Sequence, residues 1–295
     1  MENVLYNYYN ILVDELDKMD NYYSFYYNDT LYFFCLVLND VNLVEEIYKY
    51  LKINNISCYD IILNKDNSLF SVVDNKKYAL IRVNGILKYE INFFEFKFYP
   101  VDKSGVDWGK LWAERLDYYE VQLRELGKNY QTVLNSFGLF SGLAENAILY
   151  YNLTIKNFDD SVDVGIVHNR LMYPCYYVYY NNPINFVIDY SVRDLAEYFK
   201  SYIFSDDFSI NELFGLLDKV NFNNKTFNLL YSRLMYPSFY FDVFDKVILE
   251  NGKDDDVLIY VNNTYKYLNV LKSLFDRYSA KYNMFRVEWL YKIKM

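Results

Sequence analysis

Histidine is nearly missing from this chain of 295 residues: His168 is the only one. That scarcity excludes His-rich metal centres, HExxH proteases and deaminase-type zinc sites, which need two or more imidazoles or paired cysteines. A serine or cysteine triad would have to be built on His168, and no GxSxG elbow accompanies it. Glycine is also scarce, with nine in all and none before Gly85. Phosphate-cradling loops use glycine so that backbone N–H groups can close on the ligand. A P-loop, a dinucleotide turn or a kinase glycine-rich loop is therefore excluded from the first 84 residues. The later pairs Gly105/Gly109 and Gly138/Gly142 have the wrong spacing for any of them. The three cysteines, Cys35, Cys58 and Cys175, form no CxxC pair and sit in apolar contexts, so they read as reduced, buried thiols. No apolar run approaches the length of a membrane span, and the first 20 residues carry acids and no basic region, so they do not read as a secretory signal.

Aromatic residues are what the chain has in abundance: 36 tyrosines and 23 phenylalanines within a 53% hydrophobic composition. This is enough apolar area for a large core and excludes wholesale disorder. Thirty Lys and Arg against 39 Asp and Glu leave a net charge of −9, which repels phosphate backbones, so no nucleic-acid partner is expected. The composition reads as a soluble intracellular protein without a membrane partner.

The hydrophobic period changes along the chain. Helical spacing over 2–19 precedes two aromatic, strand-like runs, 22–27 and 31–38, separated by Asn28-Asp29-Thr30. A helix is expected over 40–54, followed by strand-like runs at 58–63, 68–73 and 78–83. From about 107 the pattern turns helical, with helices over 107–126 and 130–151 and a β-rich patch over 161–190. Helices then continue to the end, the last over roughly 263–280. Ser191 is a candidate cap for the helix after the patch, and Ser209-Ile210-Asn211-Glu212 has the capping-box pattern. The expected organisation is α+β, with a small antiparallel β lobe over 1–102 and a larger helical lobe over 103–295. Arg-Leu-Met-Tyr-Pro occurs at 170–174 and again at 233–237, and reads as two aromatic-proline corners and not as a solenoid repeat.

The order of these segments resembles the two-lobed aminoglycoside phosphotransferase-like (protein-kinase-like) fold, and more narrowly the spore-coat kinase-like proteins of the CotS and YutH type. The residues that carry the resemblance are Ser141 to Ile148 (SGLAENAI), Trp108 to Glu120 (WGKLWAERLDYYE), and Val187-Ile188-Asp189 followed by Arg193-Asp194-Leu195-Ala196-Glu197. Arg286 to Lys292 (RVEWLYK) adds to them, and His168-Asn169-Arg170 stands where such kinases have His-Gly-Asp. Phosphoryl transfer works by positioning and charge neutralisation, and it needs a base, a strand lysine, a phosphate cradle and metal-holding groups. The resemblance puts the base at Arg170, a permanent cation that cannot accept a proton. It puts the second metal ligand at Cys175, and the strand 31–38 presents no lysine. The hairpin before that strand has no glycine. Asp189 alone survives as a metal-binding candidate.

The resemblance therefore implies a degenerate member: a pseudokinase that joins the spore coat of a low-GC bacterium and binds coat proteins, with no cofactor expected. It reads against an enzyme. The alternative is an atypical small-molecule phosphotransferase using ATP and magnesium, with Asp189 on the metal and His168 or Glu145 near the substrate. A third reading keeps the cleft as a binding site without a reaction. Beside these stand plainer roles. His168 anchors its loop by hydrogen bonding, Asp189 caps the next helix or pairs with Arg170, and Asp194 beside Arg193 is a structural acid at a helix N-terminus. Glu145 and Asn146 line a cleft or face water. Glu45 and Glu46 have no strand lysine to pair with.

Overall fold

The computed structural model describes the chain apart from residues 14, 20, 85–89, 92 and 293–295. Its contacts divide it into two compact units. The first comprises Met1–Tyr99 and Ile166–Ile188, the second Pro100–Gly165 and Asp189–Met295. The expected boundary after residue 102 differs from this in one respect that matters for function. Residues 166–188, assigned on sequence to the helical lobe, belong to the first unit, because their apolar side chains pack with its sheet. Ile184 and Val178 join the core formed by Phe33, Cys35, Val44, Tyr59 and Ile81.

In the first unit a helix α1 (Glu2–Tyr9) precedes strands β1 (Asp17–Lys18), β2 (Tyr22–Tyr27) and β3 (Thr30–Leu36). Helix α2 (Val41–Ile53) and strands β4 (Asp60–Ile62), β5 (Ser71–Val73) and β6 (Lys76–Val83) follow. The sheet runs in the order β1-β2-β3-β6-β4, with β5 also pairing β6, and every pairing is antiparallel. Alternation along β3 divides the apolar side chains between two faces. Phe33 and Cys35 point into one cluster, while Phe34 points into another with Leu5, Phe25 and Leu80. The helix expected over 2–19 stops at Tyr9, where Asn10 turns into the left-handed region at φ 57°.

The two described hairpins turn without glycine. Among the described residues all nine non-glycine positions with positive φ are asparagine or aspartate, the side chains that best tolerate that conformation. Asn28-Asp29 and Asp74-Asn75 close the β2–β3 and β5–β6 hairpins, with φ of 49°/59° and 49°/60°. Positive φ at both central residues matches the right-handed twist of the flanking strands.

The second unit is helical. Helices α3 (Trp108–Leu126) and α4 (Gln131–Asn157) are followed by the strand pair β8 (Val164–His168) and β9 (Phe186–Tyr190), each of which crosses from one unit into the other. β8 pairs with β9 and with the short β7 (Tyr99–Pro100). A single helical turn, α5 (Tyr177–Tyr180), lies between β8 and β9 in the first unit. The second unit continues with α6 (Val192–Phe204), α7 (Ile210–Leu217), α8 (Asn224–Met235) and α9 (Ser238–Leu249). It ends with α10 (Leu258–Asn262), α11 (Thr264–Tyr282) and α12 (Glu288–Lys292). Two glycines serve close approach. A Cβ on Gly109 of α3 would lie 2.4 Å from Oδ1 of Asn152 on α4, and one on Gly142 would lie 3.2 Å from the Trp289 ring. Ser209 caps α7 through Glu212 N, but the reciprocal half of the expected box is absent, because the Glu212 carboxylate accepts from the Tyr202 hydroxyl at 2.6 Å. Ser191 makes no side-chain cap; it is already in helical backbone geometry at φ −53°, ψ −28°.

Candidate functional site

The first unit encloses a cavity of about 500 Å³. Its wall begins on β2 and β3, whose aromatic and apolar alternation turns Tyr22, Phe33 and Cys35 toward it, and it is completed by the loop after β8 and the residues around α5. That loop brings Asn169, Arg170 and Cys175 to the wall, and Asn182 and Ile184 close it. Four positions singled out by sequence thus meet around one space: the strand without its lysine, Asn169, Arg170 in place of the base, and Cys175 in place of the amide ligand. Among the described lining residues Arg170 is the one charged at neutral pH, and none is an acid.

The chemistry of the wall follows from burial. Burial pushes the Cys35 thiol up to about 12, and a hydrogen bond with Asn182 only partly opposes this, so the sulfur stays protonated and neutral. The Asn182 side chain also accepts from Ile184 N, and the Asn39 amide donates to Ile184 O at 2.9 Å. These side-chain bonds hold the far wall in shape. The Arg170 guanidinium donates to the Asn169 carbonyl at 3.1 Å. His168, one residue before this loop, is buried; its Nε2 lies 2.9 Å from Tyr180 O, and its ring packs on Tyr180 and Phe186.

Asp189 belongs to the second unit, where it is fully buried. The Trp108 indole N–H donates to both carboxylate oxygens at 3.0 and 2.9 Å, Tyr190 N donates to Oδ1 at 2.8 Å, and Arg193 donates to Oδ2 at 2.6 Å. A carboxylate offers about four acceptor directions, and four donor contacts fill them. A further cation, Arg233, sits 3.9 Å from Oδ2.

Arg233 links this carboxylate to a second one. Its Nε donates to Glu197 at 3.0 Å, and its guanidinium lies over the Trp108 ring at 4.6 Å. Glu197 also accepts from Lys200 at 3.2 Å, and Lys200 donates to Ser238 at 2.9 Å. Counting Asp194, also buried, three acids and three bases lie inside the second unit and balance in charge. Burying one such ion alone costs several kcal/mol, so each holds the others in place.

Of the expected site residues, Asn169 and Arg170 line the cavity, and His168 supports the loop that carries them. Asp189 and Arg193 lie in the second unit's buried charge network, and Asp194 is buried in the same unit. Glu145 is exposed on α4, and the Asn146 amide donates back to Gly142 O at 2.7 Å; neither lines the cavity. Glu45 pairs with Lys49 on the exposed side of α2 at 2.6 Å.

Trp108 as a carboxylate partner, and the ionic roles of Arg233, Glu197 and Lys200, escaped the sequence reading. A signal for them existed. Arg193, Glu197 and Lys200 recur at intervals of four and three along α6, which places alternating charges on one stripe. Among the described residues no cluster of three or more His, Cys, Asp or Glu could hold a metal ion, and no helix is long and apolar enough to cross a membrane.

Comparison with known proteins agrees with this layout. The sequence model of the family described as "Spore coat putative kinase YutH" matches residues 2–273. The endospore coat-associated protein YutH of Bacillus subtilis is 26% identical over 270 residues, which are 78% of this chain and 79% of that protein. Among solved structures, an aminoglycoside phosphotransferase from Alicyclobacillus acidocaldarius superposes with a TM-score of 0.54 at 9% identity, covering 94% of this chain and 96% of that one. An amicoumacin kinase in complex with AMP-PNP and calcium superposes with a TM-score of 0.53 at 9% identity, covering 91% of each chain. At such identities the likeness shows the fold: the chain is built like the aminoglycoside kinases, with a small antiparallel sheet and a larger helical part.

Proposed function

From the premise that the chain belongs to the YutH family of spore coat kinase-like proteins, we propose that it works in the spore coat as a kinase-shaped interaction protein that does not transfer phosphoryl groups. The observation that carries this reading is the state of the inherited reactive positions. Where a lysine would neutralise phosphates, the buried β3 face presents a neutral thiol, Cys35. Where a base would accept the hydroxyl proton, Arg170 carries a permanent positive charge. The one remaining metal-holding candidate, Asp189, has its lone pairs engaged by Trp108, Tyr190 and Arg193.

These residues do not fit a magnesium nucleotide. Hard divalent cations are held by carboxylate and carbonyl oxygens. Among the described residues the cavity wall offers no carboxylate, and a cation at Asp189 would first have to displace buried N–H donors. Loss of a base alone costs about 10² to 10⁴ in rate, and loss of charge clamps adds to it.

Coat association is the reading brought by the relative in Bacillus subtilis; its partners would then be coat proteins. The decisive measurement has two arms. Millimolar ATP with magnesium is expected to leave the melting temperature unchanged, since only a ligand that binds the native state raises it. ATP turnover in the presence of aminoglycosides or other small alcohols and amines, lost in Asp189→Asn with the fold intact, would overturn the proposal. On the coat side, a fluorescent fusion is expected to gather at the forespore surface during sporulation; a uniform cytoplasmic signal would remove the coat assignment.

A further inference from the structure

We propose that the cavity of the first unit binds an uncharged aromatic alcohol, whose hydroxyl donates to asparagine side chains on the wall. Size admits one: about 500 Å³ lies within the range that encloses a compact organic molecule. Rings supply much of the surface. Tyr22 and Phe33 meet edge to face at 5.0 Å, and Tyr173, Tyr176 and Tyr179 line the same space. Aromatic walls of this kind hold a further ring through offset or edge contacts.

The asparagines of the wall set the chemistry, through the atoms they have already committed. The Asn39 amide donates to Ile184 O at 2.9 Å, and the Asn185 amide donates to Tyr179 O at 3.4 Å. A backbone carbonyl only accepts, so the NH2 group of each side chain is the end tied to the protein and the oxygen is left over. Among the described residues no group donates to Oδ1 of Asn39 or of Asn185, and neither oxygen is sealed from solvent. Asn182 is engaged at both ends, its oxygen by Ile184 N and its amide by the Cys35 thiol. What the other two hold out to a ligand is oxygen: two acceptors beside aromatic rings.

A donor carried on an apolar ring matches that pattern. A carboxylate would set further acceptors against these oxygens. An ammonium would donate, but it would share the wall with Arg170, whose charge is permanent. A neutral hydroxyl on a ring satisfies size, shape and hydrogen bonding together. The site is also preformed. The backbone of Asn185 is held on both sides, its N–H by Asn182 O at 3.1 Å and its carbonyl by Asn169 N at 2.7 Å.

The inference is separate from the absence of phosphoryl transfer. Binding without turnover would leave that reading intact, and ATP turnover would overturn it without touching this one. The test uses the full chain and four probes on one ring system: β-naphthol, its methyl ether, β-naphthoate and β-naphthylmethylamine. Calorimetry is expected to rank the alcohol first, with the methyl ether about tenfold weaker because it has no proton to donate. At ten times its Kd, β-naphthol is expected to raise the melting temperature by about 3 °C. Asn185→Ala removes one acceptor and is expected to weaken the alcohol about fivefold while leaving the methyl ether within about twofold. Asn39→Ala removes the other and carries the same expectation; far-UV circular dichroism confirms that each variant is folded. No binding of the alcohol at millimolar concentration, equal affinity for the methyl ether, tighter binding of the naphthoate or the amine, or an unchanged Kd in both asparagine variants would each sink the proposal.

Discussion

Arg-Leu-Met-Tyr-Pro is written twice in this chain, and the two copies have opposite fates. At 170–174 it forms an irregular loop of the first unit, with Met172 66% exposed and Arg170 half-buried on a cavity wall. At 233–237 it forms the end of α8 and the turn into α9, and all five residues are buried. The second arginine faces two carboxylates and an indole ring, while the guanidinium of the first donates to the Asn169 carbonyl on the cavity wall. The same five residues thus give a polar lining in one unit and the centre of an ion network in the other. What marks the second copy is full burial beside Asp189 and Glu197.

The sharpest way to break the comparison is to remove the carboxylate on which the second copy depends. Asp189→Ala leaves two buried guanidinium groups and the Trp108 N–H without their acceptor, and urea unfolding is expected to show a loss of about 3 to 5 kcal/mol. If Asp189→Ala costs less than about 1 kcal/mol, the network does not hold this unit together.

Exchanging the two arginines one at a time comes next. Arg233→Ala strips Glu197 of one partner and uncovers the Trp108 face, with an expected loss of about 3 kcal/mol. Arg170→Ala is expected to cost about 1 kcal/mol or less, as for a half-buried loop side chain. Equal losses would erase the distinction drawn between the copies.

A third change probes a carboxylate of the second unit that lacks such partners. Burial pushes the Asp245 carboxyl up to about 6, nearby Asp242 and Glu250 push the same way, and the Tyr119 hydroxyl and Arg115 oppose them. A carboxyl whose pKa is raised on folding contributes most below the ordinary carboxylate value. That contribution is lost as pH rises through about 6. Asp245→Asn is therefore expected to be near neutral at pH ~4 and to stabilise by about 1 kcal/mol at pH ~8, after allowance for the partial exposure of the group. Urea melts at the two pH values check the sign; a variant less stable at the higher pH would contradict it. The smallest effect belongs to the first unit. Asp29→Gly places Asn-Gly in the β2–β3 turn and is expected to add about 0.5 kcal/mol in the same melts, because glycine takes positive φ without a steric cost.

Much of the architecture was legible in the residues. The Asn28-Asp29 turn between aromatic runs, the helical stripe after 107, and the SGLAENAI and RVEWLYK segments are local patterns, and local patterns survive folding. Gly142 shows why the last two go together: its missing side chain admits the Trp289 ring. The contents of the cavity were legible only in part. Arg170 and Cys175 stood out because a resemblance gave them positions to be compared with. Asn182 and Ile184 had nothing to mark them, since their role comes from packing against a sheet about 150 residues earlier in the chain. The ion network was hidden for the same reason. The resemblance directed attention to Asp189 as a metal ligand, and its true neighbours, Trp108 and Arg233, lie 81 and 44 positions away. Periodicity reports which face of a helix is buried. It does not report which distant donor that face will meet.

The two rarest reactive or luminescent side chains happen to be sorted by unit. Trp108, Trp112 and Trp289 all lie in the second, and Cys35, Cys58 and Cys175 all lie in the first. Indole emission therefore follows the opening of the helical unit alone, and the rate at which a thiol reagent is consumed follows the sheet unit alone. One unlabelled sample, read in two channels, can report whether the halves of this protein come apart together or in turn.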